Sequence, residues 1–138
     1  MTTHNEAMEV IAAAWVAGWS PSPSVPYSLP NEELETDALV EWAELSINTG
    51  GGGIESLGAA PNRLHERLGR VAVRLFVAEN TGLARLNELA ALASDIFESK
   101  TLGASEVFTY NSDYRQSGLV KGKYRGVVSV DFTYDEHK

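Results

Sequence analysis

The residues able to do chemistry are few and scattered. Histidine occurs at His4, His65 and His137. No two are four residues apart, the spacing that sets two imidazoles on one helix face to grip a metal. His65 keeps the company of arginines, which repel a cation. Glu41 and Glu44 come nearest to a carboxylate pair, but on an extended chain these positions point to opposite faces and cannot share a substrate. A serine nucleophile needs a base and a strained turn such as GxSxG, and the sequence offers neither. The run Gly50, Gly51, Gly52, Gly53 has the composition of a phosphate loop without its continuation. Such a loop leads through a lysine into a helix, whose N–H groups hold the phosphates. Here no lysine follows, and the chain returns to a strand pattern. The residue types therefore point to no catalysis, no cofactor and no metal.

Charge is more informative than nucleophiles. Four of the seven arginines, Arg63, Arg67, Arg70 and Arg74, fall in one short segment, while Glu32, Glu33, Glu35, Asp37, Glu41 and Glu44 form an acidic one. Opposite blocks on one chain suggest pairing, within the fold or between copies. The formal net charge of −8 argues against bulk nucleic-acid binding, which needs Lys and Arg to neutralise phosphates. Cysteine is absent, which removes disulfides and thiolate sites. No apolar run approaches the ~20 residues that span a bilayer, and "MTTHNEAMEV" lacks the basic start and apolar middle of a signal peptide. These features read as an intracellular, soluble protein. The length of 138 residues suits one domain with a true core.

Periodicity supplies the elements that must position these charges. Met8, Ile11, Ala12, Trp15 and Trp19 form one apolar stripe, predicting a helix over 5–17 that Gly18 ends. "SPSPSVPYSLP" cannot be helical and reads as a surface crossing. Residues 38–47 alternate as a strand through Leu39, Ala43, Leu45 and Ile47. Residues 68–78 do so more clearly, with Val71, Val73, Leu75 and Val77 on one face. These two strands predict an antiparallel hairpin. A second helix is expected over 82–99, capped by Asn80 or Thr81 and stopped near Gly103. A short strand at 105–110 and a long one at 124–134 follow, separated by a polar loop over 111–123.

The expected fold is α+β in the order α-β-β-α-β-β: one antiparallel four-stranded sheet with two helices on one face, and a long loop at the first hairpin tip. The other sheet face then carries Arg70, Ala72, Arg74, Phe76 and Val127. That mixture suits scattered surface apolarity or a subunit interface that joins apolar contact to arginine pairing. The insert over 48–64 exceeds the ~12–15 residues beyond which an unstructured loop is uncommon and usually functional. It reads as a flexible arm.

In this order the chain resembles the small tail terminator (tail completion, head–tail joining) proteins of long-tailed bacteriophages and phage-like particles. The likeness rests on the helix ending near "WVAGW", the segment "SPSVPYSLP", the strand "ALVEWAEL" and its Gly-rich sequel. It continues through "RLGRVAVRLFVAENTGLARLNELAALASDIFES" to the closing "YRGVVSVDFTY", so it covers nearly the whole length by pattern and not by motif. The resemblance implies a structural virion protein at the head-proximal end of the tail, assembled in the host cytoplasm. Its copies would form a ring, commonly a hexamer, that stops growth of the tail tube protein and offers a surface to the head connector protein. DNA would meet it only in passage, and no membrane is involved. On this reading Arg70, Arg74 and Phe76 meet Glu41 and Glu44 of a neighbour. Gly50 to Gly53, flanked by Arg63 and Arg67, form the arm, which could be trimmed over 50–60 without loss of folding. Arg115, Lys121 and Lys123 face the next ring or the DNA. The alternative from the residues alone is a homodimeric ligand-binding or regulatory protein with Tyr124, Phe132 and Trp42 lining a pocket.

Overall fold

The computed structural model describes residues 4–19, 25–30, 32, 34, 39–54, 64–78, 83–98, 101–102, 107–120 and 123–137. Arg63, Lys121, Asn80, Thr81 and Gly103 lie outside them. In chain order the elements are α1 (His4–Trp19), β1 (Tyr27–Ser28), β2 (Trp42–Ile54), β3 (Leu64–Ala78), α2 (Ala84–Phe97), β4 (Thr101–Leu102), β5 (Val107–Val120) and β6 (Lys123–His137).

The expected four-stranded antiparallel sheet is wrong in number and in kind. The strands form one six-stranded sheet in the order β1-β2-β3-β6-β5-β4, curled like half a barrel. The element order is α-β-β-β-α-β-β-β. The sheet is mixed because β1 runs parallel to β2, with Tyr27 opposite Ala43 and Ser28 opposite Glu44. Both additional strands, β1 and β4, are two residues long. An alternation of that length carries no periodic signal. Proline also obscured β1, although an edge strand tolerates it: Pro26 contributes a carbonyl, which accepts the Ala43 N–H at 2.9 Å.

The two expected loops are corrected as well. β2 continues through Gly50–Gly53 to Ile54 and β3 begins at Leu64, so the ends of the 48–64 insert are paired strand. Gly52 stands opposite Arg67 and Gly53 opposite Glu66, after a register shift between Thr49 and Gly52. Glycine removes the side chains that would display alternation, but it does not prevent a backbone ladder. Deleting 50–60 would therefore cut into this hairpin. The polar stretch 111–123 is largely β5, paired with β6 through two register shifts. Asn111 at φ 53° and Gly118 at φ 77° supply the left-handed residues that such bulges use.

One face of the sheet builds the core. Ala43 and Leu45 of β2, Val71, Val73, Leu75 and Val77 of β3, and Val128, Val130 and Phe132 of β6 are buried together with Ile11, Trp15, Trp19, Leu86, Leu89, Ala93 and Phe97 of the helices. α2 lies against β3, β5 and β6, and α1 against α2 and β4. Trp15 stacks on Trp19 with ring centroids 4.5 Å apart, and Trp19 donates from Nε1 to the Val25 carbonyl at 2.9 Å. That bond ties the middle of the proline-rich crossing to the helix end. Gly18 does not stop α1. It lies within the helix, where a Cβ would come 2.7 Å from Ile96 Cγ1, so its role is to let α1 approach α2. No described helix is long and apolar enough to cross a membrane.

Candidate functional site

The face of the sheet turned away from the core is where the chain departs from an ordinary solvated surface. Strand pairing sorts its residues into cross-strand rows. The first row holds Trp42, Phe76 and Arg125; the second holds Glu44, Arg74, Val127 and Arg115; the third holds Ser46, Ala72, Ser129 and Asp113; the fourth holds Asn48, Arg70, Asp131 and Tyr110. Side chains in a row are neighbours because opposite residues in a ladder lie about 4.5–5.5 Å apart.

The first row is apolar and covered. Trp42 and Phe76 stack with centroids 4.7 Å apart and planes 13° from parallel, each about 7% exposed. They stand outside the main core cluster, as a second apolar centre on the opposite side of the sheet. Trp42 Nε1 donates to Glu44 at 3.4 Å. Arg125, beside Phe76, has an inaccessible Nε without a hydrogen-bond partner among the described residues.

Farther along, the charges are mostly paired within the chain. Arg70 Nε donates to Asp131 at 2.9 Å, and Asn111 reaches the same carboxylate at 3.4 Å. The hydrogen bond that Arg70 donates to Asp131 raises the guanidinium pKa above its ordinary value. Arg74 donates to Ser46 Oγ at 3.4 Å, and Arg115 to Asp113 at 3.0 Å. Glu41 precedes β2 and takes a bidentate pair from Arg85 of α2, with contacts of 2.6 Å and 3.0 Å. That hydrogen-bonded pairing raises Arg85 in turn.

The expected partnership of Arg70 and Arg74 with the acidic segment is thus only partly a matter of neighbours. Arg74 stands opposite Glu44, whereas Arg70 is engaged by Asp131 and Glu41 by Arg85. Periodicity alone missed Arg85, because it sits on a helix and its partner lies 44 residues away. Lys123 opens β6, opposite Ala78 and Val120. Arg67 lies in β3, where its carbonyl accepts the Thr133 hydroxyl at 3.1 Å. The aromatics proposed for a ligand pocket do not converge: Phe132 is fully buried in the core, Trp42 lies on the opposite face, and Tyr124 packs at the core margin. Among the described residues no three His, Asp or Glu side chains gather as a metal site would require.

At the β2 side of this surface a groove of about 590 Å³ opens between the strand and the crossing segment, lined by Leu29, Glu32, Leu34, Glu44, Ile47 and Arg74 among others. The crossing is pinned there by a small turn, in which Glu32 accepts the Leu29 N–H at 3.1 Å while its own N–H returns to the Leu29 carbonyl.

Comparison with known proteins gives the fold a precedent and the function none. No family model matches the chain, and no curated protein matches it. The solved structures similar to it include one that carries no functional name. That likeness has 14% sequence identity and a TM-score of 0.69, over 94% of this chain and 96% of the other. At that identity the likeness concerns the fold alone.

Proposed function

We propose that the protein is a structural, non-catalytic subunit of a phage-type tail. Its copies form a ring, with six as the expected number, that caps the head-proximal end of the tail tube. The ring stops addition of tube protein and presents its far side to the head connector, with DNA passing through the lumen.

The observation that carries this reading is the pair of unlike sheet edges. Each lateral edge is covered by a strand of only two residues, β1 on one side and β4 on the other. A subunit with two different open sides suits head-to-tail association, and such contacts close into rings when the rotation permits. The outer face adds a covered aromatic pair and a field of arginines and carboxylates, the mixture that protein interfaces favour. The sequence resemblance to tail terminators supports the reading through two helices and a long hairpin, although the strand number and order differ from those expected.

A ring that matches the tube on one face alone ends growth without chemistry. The test combines assembly and capping. Native mass spectrometry should find a closed oligomer at high protein concentration, and substoichiometric addition to polymerising tube protein should shorten the tubes. Tubes of unchanged length beside an assembled ring would dismiss the capping function, and a stable dimer that never grows would dismiss the ring.

A further inference from the structure

The β2 edge is open in a defined direction. The Ala43 N–H points outward, because it donates to Pro26 of the crossing segment at 2.9 Å. In an antiparallel ladder the N–H and C=O of one residue face the same side, and the side alternates along the strand. The backbone groups of Leu45, Ile47 and Thr49 therefore also point away from β3, along a stretch where the register is unbroken. β1 covers only Ala43 and Glu44. Beyond it the edge has no strand partner among the described residues, and it borders the groove that holds Glu32 and Glu44.

The opposite edge has the complementary character. β4 pairs only with Val107 and Phe108 of β5, and farther along β5 stands Arg115, whose side chain is 83% exposed. Register places Glu44 and Arg115 at the two ends of one cross-strand row, three strands apart: Glu44 opposite Arg74, Arg74 opposite Val127, Val127 opposite Arg115. Just beyond this row, at the same end of the sheet, each side carries an exposed aliphatic residue, Val40 at 64% and Leu119 at 59%.

We propose that the β2 edge of one copy receives the β5 edge of a second copy, head to tail, with Glu44 facing Arg115 and Val40 facing Leu119. This rests on the ring reading and names its contact. A rotation axis parallel to the strands keeps rows level from copy to copy, so groups that share a row on opposite edges meet. Strand direction agrees as well. β2, β3, β6 and β5 alternate in direction, so an incoming β5 lies antiparallel to β2 and continues the alternation. The direct ladder begins at Leu45, and Arg115 reaches past β1, a width of about 4.8 Å. The bulges in β5 and its charges blunt pairing of β5 with itself, which favours the unlike contact.

The test uses the full chain with Glu44→Arg, Arg115→Glu and the double exchange, followed by native mass spectrometry and sedimentation velocity over a concentration series. Each single reversal should raise the concentration needed for assembly at least about tenfold, and the double exchange should return it to within about threefold of the wild type. Leu119→Asp should weaken assembly while leaving the circular dichroism of the monomer unchanged. If the wild type assembles and the single reversals assemble equally well, or the double exchange stays as weak as the singles, this contact is wrong while the ring stands. If the wild type stays monomeric at every concentration, the ring reading falls and this inference with it.

Discussion

Gly69 of β3 lies directly opposite Phe132 of β6, and the aromatic ring occupies the space a side chain at Gly69 would need. A Cβ there would come 2.4 Å from Phe132 Cζ and 2.5 Å from the Asn48 carbonyl oxygen. The ring could move; the backbone carbonyl of the neighbouring strand cannot without breaking the ladder. Gly69→Ala should therefore cost about 1–3 kcal/mol or somewhat more, the usual result of forcing volume into a packed site. Urea denaturation checks this. An unchanged midpoint would mean that β2 and β3 separate more easily near Thr49 than their pairing implies.

Tyr114 offers a probe of the β5 side of the core. Burial raises its pKa above the ordinary value of a tyrosine, and its hydroxyl donates to Asn87 of α2 at 3.2 Å. The sign follows from which form is favoured. Folding prefers the neutral phenol, so the contribution to stability is complete below the unfolded value and is lost as pH rises through the higher folded one. Absorbance titration near 295 nm should show a late-ionising component among the five tyrosines, and Tyr114→Phe should remove it. The same substitution should cost about 0.5–1.5 kcal/mol at neutral pH through the lost hydrogen bond.

The fold was legible where alternation ran long and buried. β3 and the centre of β6 displayed Val71, Val73, Val128 and Val130 on one parity, and α2 displayed Leu86, Leu89, Ala93 and Phe97 at helical spacing. What escaped notice was structure held by backbone more than by side chains. Gly50–Gly53 carry no side chains to alternate, yet the strand continues through them. Asn111–Gln116 alternate polar with polar on an outer strand, and bulges reverse their parity. Tyr27–Ser28 and Thr101–Leu102 become strands only because a longer partner is already in place. The site was legible to the same degree. The arginine-rich face of β3 was visible in sequence, but its partner Asp131 lies 61 residues away and emerges only from register.

The Glu41–Arg85 pair pins the entry of β2 to α2, and it is separable from the proposed interface. Both side chains are partly exposed, at 25% and 34%, so solvent screens the attraction and bidentate geometry is its chief advantage. A double-mutant cycle with Glu41→Gln and Arg85→Gln should give a coupling of about 0.5–1 kcal/mol that shrinks in high salt. Assembly should change far less than with Glu44→Arg, because the Glu41 side chain turns to Arg85 of α2 although Val40 beside it belongs to the proposed contact. Loss of assembly in either variant would mean that this corner of the fold also takes part in subunit contact.

Trp42 and Phe76 carry the last prediction. Their stack is a small apolar centre on the face away from the helices, with ring centroids 4.7 Å apart. Phe76→Ala should cost about 3 kcal/mol, at the low end for a buried phenylalanine because the cavity lies near the surface and can fill with water. The spectroscopic consequence is selective. Trp15 and Trp19 are fully buried in the main core and report little, so a red shift in emission and easier quenching by acrylamide belong to Trp42. If emission stays unchanged while stability falls, something other than Phe76 shields Trp42. Leu29, Glu32 and Leu34, which border the same strand across the groove, would be the next residues to mutate.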